Sequence, residues 1–181
     1  MAEAAITAAR RPALAGRRHA NDHVSLAPAA PCARLVVRAS DPEVAGKALG
    51  VRLAETVGRS HESDGRRALA LGPDEWLVIG PDGDAAPDTP SSDAFTSVDV
   101  SHRNAAILVS GPGAEATLNA GCPRDLSPAA FPVGACARTV LGKAEAVLLR
   151  TADDAFRVEV WRSFAPYAWA LLEDAAGDAG L

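Results

Sequence analysis

The chain has 181 residues, 48% hydrophobic but only 4% aromatic. That supports one globular domain with a core of Ala, Val and Leu, and excludes a disordered chain. The net charge is −5: positions 1–23 carry +2, so the body carries −7, a balance unsuited to nucleic-acid binding.

Positions 1–30 lack a continuous apolar stretch and read as a flexible leader, not a secretory signal. The domain is expected over 31–181. Its first strand is Ala33–Ala39, an apolar run rich in Val and Leu. Ser40, Asp41 and Pro42 then supply a cap residue followed by proline, which predicts a helix start, and Gly50 predicts its stop. Ser60-His61-Glu62-Ser63-Asp64 holds the letters of a hydrolytic triad. Triad side chains converge from separate elements, so a polar loop is the better reading. Arg67–Leu71 and Glu75–Ile79 follow as short strands around a tight Gly72-Pro73-Asp74 turn.

Positions 81–94, dense in Pro, Asp, Gly and Ser, read as a solvent loop that splits the domain into two related β-α-β-β halves, an α+β arrangement. In the second half, Thr96–Ser101 alternates and Asn104–Val109 is apolar enough for a central strand. Ser110-Gly111-Pro112 opens a helix ending near Gly121. Gly111-Pro112-Gly113-Ala114 has no G-x-G-x-x-G pattern and no P-loop lysine, so it reads as an ordinary strand-to-helix turn. After an irregular stretch over 123–137 come strands at Arg138–Leu141, Ala144–Arg150 and Phe156–Trp161. The last helix is expected from Ser163, its N-cap, to Ala176, burying Phe164, Tyr167, Ala168, Leu171, Leu172 and Ala175. On that phase Trp169 falls away from the core. Trp161 lies on the strand face opposite Phe156, Val158 and Val160. Both tryptophans read either as a second surface for a partner, joined by Arg162, or as rings partly covering the fold's own edge.

No motif specifies an active site, and no catalytic, cofactor-binding or metal-binding residue is assigned. Cys32, Cys122 and Cys136 form no C-x-x-C, and His19, His23, His61 and His102 are scattered, so neither a disulfide framework nor a metal site is expected. No apolar stretch reaches the roughly 20 residues of a membrane helix, and a reducing, cytoplasmic location is expected. The one dense polar cluster is Asp99, Ser101, His102 and Arg103. It reads either as a ligand or partner contact or as a solvated turn with an Asp–Arg pair.

Six segments in order carry a family resemblance: Leu71–Ile79 (LGPDEWLVI), Val98–Arg103 (VDVSHR), Leu108–Pro112 (LVSGP), Gly121–Leu126 (GCPRDL), Phe131–Thr139 (FPVGACART) and Val160–Ala165 (VWRSFA). Together, spanning roughly 33–175, they resemble the gamma subunit of heterotetrameric sarcosine oxidase. The resemblance implies a fold similar to the first domain of glycine cleavage T-protein and its folate-binding relatives. It implies partners, the alpha, beta and delta subunits, with FAD, FMN, NAD, zinc and tetrahydrofolate held there and none in this chain. The complex would demethylate sarcosine to glycine with hydrogen peroxide and formaldehyde or methylenetetrahydrofolate. The alternative is a free-standing folate-binding module related to aminomethyltransferases.

Overall fold

The computed structural model describes residues 12–83 and 93–179. Two antiparallel sheets pack face to face, each with its outer side covered by helix. The strands of the chain begin with β1 (His19–Ala20), β2 (Ser25–Pro28) and β3 (Ala33–Ala39). Helix α1 (Pro42–Leu49) follows, then β4 (Ser60–Ser63), β5 (Arg66–Ala70), β6 (Glu75–Gly80) and β7 (Phe95–Asp99). The second half runs β8 (Asn104–Ser110), α2 (Ala114–Asn119), β9 (Cys136–Leu141), β10 (Ala144–Ala152), β11 (Ala155–Trp161), a 3-10 turn (Arg162–Phe164) and α3 (Ala165–Asp178).

One sheet has the order β1-β2-β8-β11-β10-β9, the other β4-β5-β6-β3-β7. Apart from β1 the two are the same pattern. Within it β3 corresponds to β8, β6 to β11, β5 to β10 and β4 to β9, with α1 and α2 in matching places. The expected pair of related halves is therefore present, but each is β-α-β-β-β instead of β-α-β-β, and one strand is exchanged between them. The strand before each half's first strand crosses to the other half: β2 pairs with β8, and β7 pairs with β3. Neither half completes its sheet alone.

Period-two alternation sorts the side chains into layers. Phe156, Val158 and Val160 of β11 face α2 and α3. Leu35 and Val37 of β3, with Trp76 and Val78 of β6, face α1. Trp76 Nε1 donates to Ala54 O at 2.8 Å, so the indole is buried without an orphan donor. The inner layer between the sheets holds Leu69, Leu77, Ile79, Cys136, Val147 and Leu149. At one edge the sheets touch directly: Ser60 N donates to Gly134 O and Cys136 N to Gly58 O, both at 2.9 Å.

Helix α1 starts and stops where expected. The Asp41 carboxylate accepts from the N–H groups of Glu43 and Val44, Pro42 stands in the first turn, and Gly50 closes the helix at φ 64°. The irregular segment over 123–137 is organised by Arg150, 3% exposed. It donates to Leu126 O at 2.8 Å and Phe131 O at 3.0 Å, and lies over the Phe156 ring. A buried guanidinium here replaces the regular backbone pairing that a proline-rich segment lacks.

Three expectations need correction. The leader over 1–30 is too long: residues 1–11 lie outside the described residues, but Leu14, Val24 and Leu26 are buried in the helix-side core. β2 joins the sheet, and Asn21 Nδ2 donates to Ala176 O at 2.9 Å. The run Ser60–Ser63 is an edge strand, not a loop. Ser163 does not cap α3: the chain passes through a 3-10 turn first, and Phe164 occupies the cap position. The buried face of α3 differs with it. Its buried stripe is Ala165, Ala168, Trp169, Leu172 and Ala176, while Phe164 and Tyr167 are about 40% exposed. Of the expected 81–94 loop, residues 84–92 lie outside the described residues.

Candidate functional site

The turn from β7 into β8 brings most of the sequence-predicted residues together. Asp99 does not pair with Arg103. Its Oδ1 accepts from Ser101 N at 2.7 Å, and hydrogen bonds from the Ser101 side chain and backbone hold its carboxyl below the usual carboxylate range. Ser101 Oγ in turn accepts from Arg34 N at 2.9 Å, which fastens the turn to β3. His102 is exposed at the tip. Arg103 lies over the Trp161 ring, 4.7 Å from its centroid, a cation–π geometry. Arg162 N donates to Arg103 O at 2.8 Å. Arg103, Trp161 and Arg162 thus form one corner at the end of β11.

Trp169 does not belong to that corner. It is 1% exposed and packed on the helix side of the sheet, in the core face from which the helical phase was expected to exclude it. The residues that take its place at the surface are Phe164 and Tyr167. With Trp161 they give three aromatic rings, each about 40% exposed, within one turn-and-helix start. Tyr167 also fixes the β9–β10 hairpin, its hydroxyl accepting from Lys143 N at 3.1 Å.

The largest feature that the sequence reading missed lies between the sheets. Arg34 and Glu159, 3% and 2% exposed, join the two sheets at 2.7 Å. The other Glu159 oxygen takes Arg157 at 2.8 Å, and Arg157 Nη2 also reaches Cys32 Sγ at 3.2 Å. Alternation on β11 put Arg157 and Glu159 off the helix side. Only the second sheet shows that this face is interior.

The side chains with the letters of chemistry are engaged in the fold. Ser60 Oγ of the triad-lettered run donates to Gly134 O at 2.9 Å, and Ser63 bonds Asp64, so the run serves the β4 edge. Burial pushes the Cys136 thiol up to about 11, with Sγ donating to Arg59 O. Among the described residues no group of three or more His, Cys, Asp or Glu side chains could hold a metal ion. The Gly111-Gly113 turn is filled by the protein's own chain. Gly113 N donates to His23 O at 3.0 Å, and a Cβ at Gly111, at φ 110°, would strike that carbonyl. These residues do not fit a dinucleotide phosphate.

Fold and surface define a two-sheet α+β chain with an exposed aromatic and arginine corner. The model of the sarcosine oxidase gamma subunit family matches residues 37–178, and this chain belongs to that family. It is 33% identical over 116 residues to a sarcosine oxidase subunit gamma from Arthrobacter sp., covering 61% of this chain and 57% of the relative. It is 32% identical over 141 residues to the one from Corynebacterium sp. (strain P-1), covering 73% and 68%. The aligned stretch with the first of these is thus little more than half of the relative's length. Among solved structures, a heterotetrameric sarcosine oxidase from Corynebacterium sp. U-96, in complex with pyrrole 2-carboxylate, has a chain matching at TM-score 0.84 and 27% identity. The match covers 95% of this chain and 97% of that one. The glycine cleavage system aminomethyltransferase T from Bartonella henselae shares the fold at TM-score 0.61 and 14% identity, over 83% of this chain and 45% of that chain.

Proposed function

We propose that this chain is the gamma-type subunit of a heterotetrameric sarcosine oxidase and works as a structural component, with its alpha, beta and delta partners performing the chemistry. The observation that carries this reading is the near end-to-end likeness to a chain of such a heterotetramer, 95% of one and 97% of the other. In this reading the complex is cytoplasmic. It converts sarcosine to glycine with hydrogen peroxide and formaldehyde, or with methylenetetrahydrofolate when tetrahydrofolate captures the one-carbon unit. FAD, FMN, NAD, zinc and tetrahydrofolate belong to the partner chains. The inert Cys136 thiol and the self-occupied glycine turn are consistent with that division.

The docking surface in this proposal is the corner of Arg103, Trp161 and Arg162, with Asp99 and His102 on the adjoining turn and Phe164 and Tyr167 beside it. Aromatic and arginine side chains dominate binding energy at protein interfaces. A Trp161→Ala, Phe164→Ala double variant should fold normally and lose most subunit association in a co-purification assay. Full retention of the partners by that variant would refute this assignment. The rival reading, a free-standing folate-binding module related to aminomethyltransferases, draws only on the fold shared with aminomethyltransferase T, of which this chain matches 45%.

A further inference from the structure

Arg67 on β5 and Arg157 on β11 enter the gap between the sheets from opposite sides. They line one crevice of about 270 Å³ with Cys32, Glu62 and Thr151. The Arg157 side chain is 16% exposed and that of Arg67 26%. The charges there do not balance. Arg34 and Arg157 share a single carboxylate, one oxygen of Glu159 each. Arg67 has Glu62, whose side chain is 53% exposed. Among the described residues three guanidiniums therefore meet two carboxylates, and the surplus positive charge sits on half-buried ground, where water solvates it poorly. Desolvation first, and then the charge of Arg157, lower the proton affinity of Arg67, so the two cations act on each other across the crevice. The Cys32 sulfur that receives Arg157 is a weak acceptor and does not offset a full charge.

We propose that this crevice binds a small free oxyanion, a carboxylate or a phosphate, held between the Arg67 and Arg157 guanidiniums. The planar fork of a guanidinium matches both anions with paired N–H donors. Two forks from opposite sheets give a site open to solvent on one side. Glu62 acts as an internal competitor: the ligand takes its place on Arg67, and the carboxylate turns to solvent. The proposal concerns only this chain's own side chains and does not depend on the docking surface.

The test uses the whole 181-residue chain together with whatever subunits co-purify with it. Inorganic phosphate and succinate are titrated in separate series at constant ionic strength, with binding read by calorimetry and by thermal shift. Wild type should bind at least one of them saturably. Affinity should fall at least about tenfold in Arg67→Gln and rise severalfold in Glu62→Gln. Response to phosphate alone would assign a tetrahedral ligand, and response to both would assign any small oxyanion; either supports the site. Non-saturable stabilisation, equal in wild type and Arg67→Gln, would overturn it. So would an unchanged or weaker affinity in Glu62→Gln, a variant that keeps both arginines and whose folding is checked by its circular dichroism. A crevice filled by a partner's acidic side chain, with no saturable binding of either free anion, would also overturn it.

Discussion

Trp161 and Trp169 lie on opposite sides of the same sheet and differ in what truncation costs. Trp169 is buried among Ala165, Leu172 and the β8–β11 core, so Trp169→Ala should lose about 3–5 kcal/mol of stability, read by denaturant unfolding. Trp161 is 41% exposed and stacked under Arg103, so Trp161→Ala should cost under about 1 kcal/mol while weakening association. A large stability loss for Trp161→Ala would mean that its corner supports the fold instead. Cys136 carries a pH signature of its own. Its folded pKa is raised from 9.0 to about 11 by burial, so between those values the unfolded chain binds fewer protons than the folded one. Stability should therefore fall as pH climbs from 9 towards 11, and Cys136→Ala should flatten that slope. An identical alkaline limb in the variant would remove Cys136 from the account.

At the scale of elements, polar bridges fasten the two sheets to each other. Arg34–Glu159 is buried, and removing one member strands the other. Glu159→Gln should cost about 3–5 kcal/mol, whereas joint replacement by apolar residues of similar volume, Arg34→Met with Glu159→Leu, should recover part of that loss, Arg157 alone then lacking its carboxylate. If the double variant is as unstable as the single one, the pair does more than neutralise itself. Nearer the surface, Glu75 of β6 meets Arg138 of β9. The hydrogen bond from Arg138 holds the Glu75 carboxyl below its usual range, so its contribution is present above the unfolded pKa and is lost as pH falls through the folded one. Glu75→Gln should soften the acid limb of stability. Much of this architecture was legible in the residues. β3, α1, β6, β8 and β11 announce themselves by apolar runs, an Asp-Pro start and a glycine stop. β2 and β4 did not: Ser25–Pro28 is only four residues long with Leu26 its one buried side chain, and Ser60–Ser63 is a short polar strand at a sheet edge. The face of α3 was misread because its buried stripe is mostly alanine. Phe164, Tyr167 and Leu171 dominate any hydropathy count, yet Phe164 and Tyr167 point outward once the 3-10 turn shifts the helix start. Within the candidate site, Arg103 and Trp161 were legible from strand alternation. The Arg34–Glu159–Arg157 network was not, since its partners stand far apart in the chain.

Over the whole molecule, the exchange of β2 and β7 makes the two halves interdependent. The first strand of each half, β3 or β8, has on one side a strand from the other half. The proposed docking corner therefore stands on a single body built from both halves. The most direct measurement is co-purification of the tagged chain from cells expressing candidate alpha, beta and delta subunits, followed by a sarcosine-dependent peroxide assay on each fraction. The account predicts that the flavin-containing complex oxidises sarcosine, that the chain alone does not, and that Trp161→Ala with Phe164→Ala releases the partners. An isolated chain that turns over sarcosine or transfers a one-carbon unit unaided would contradict it.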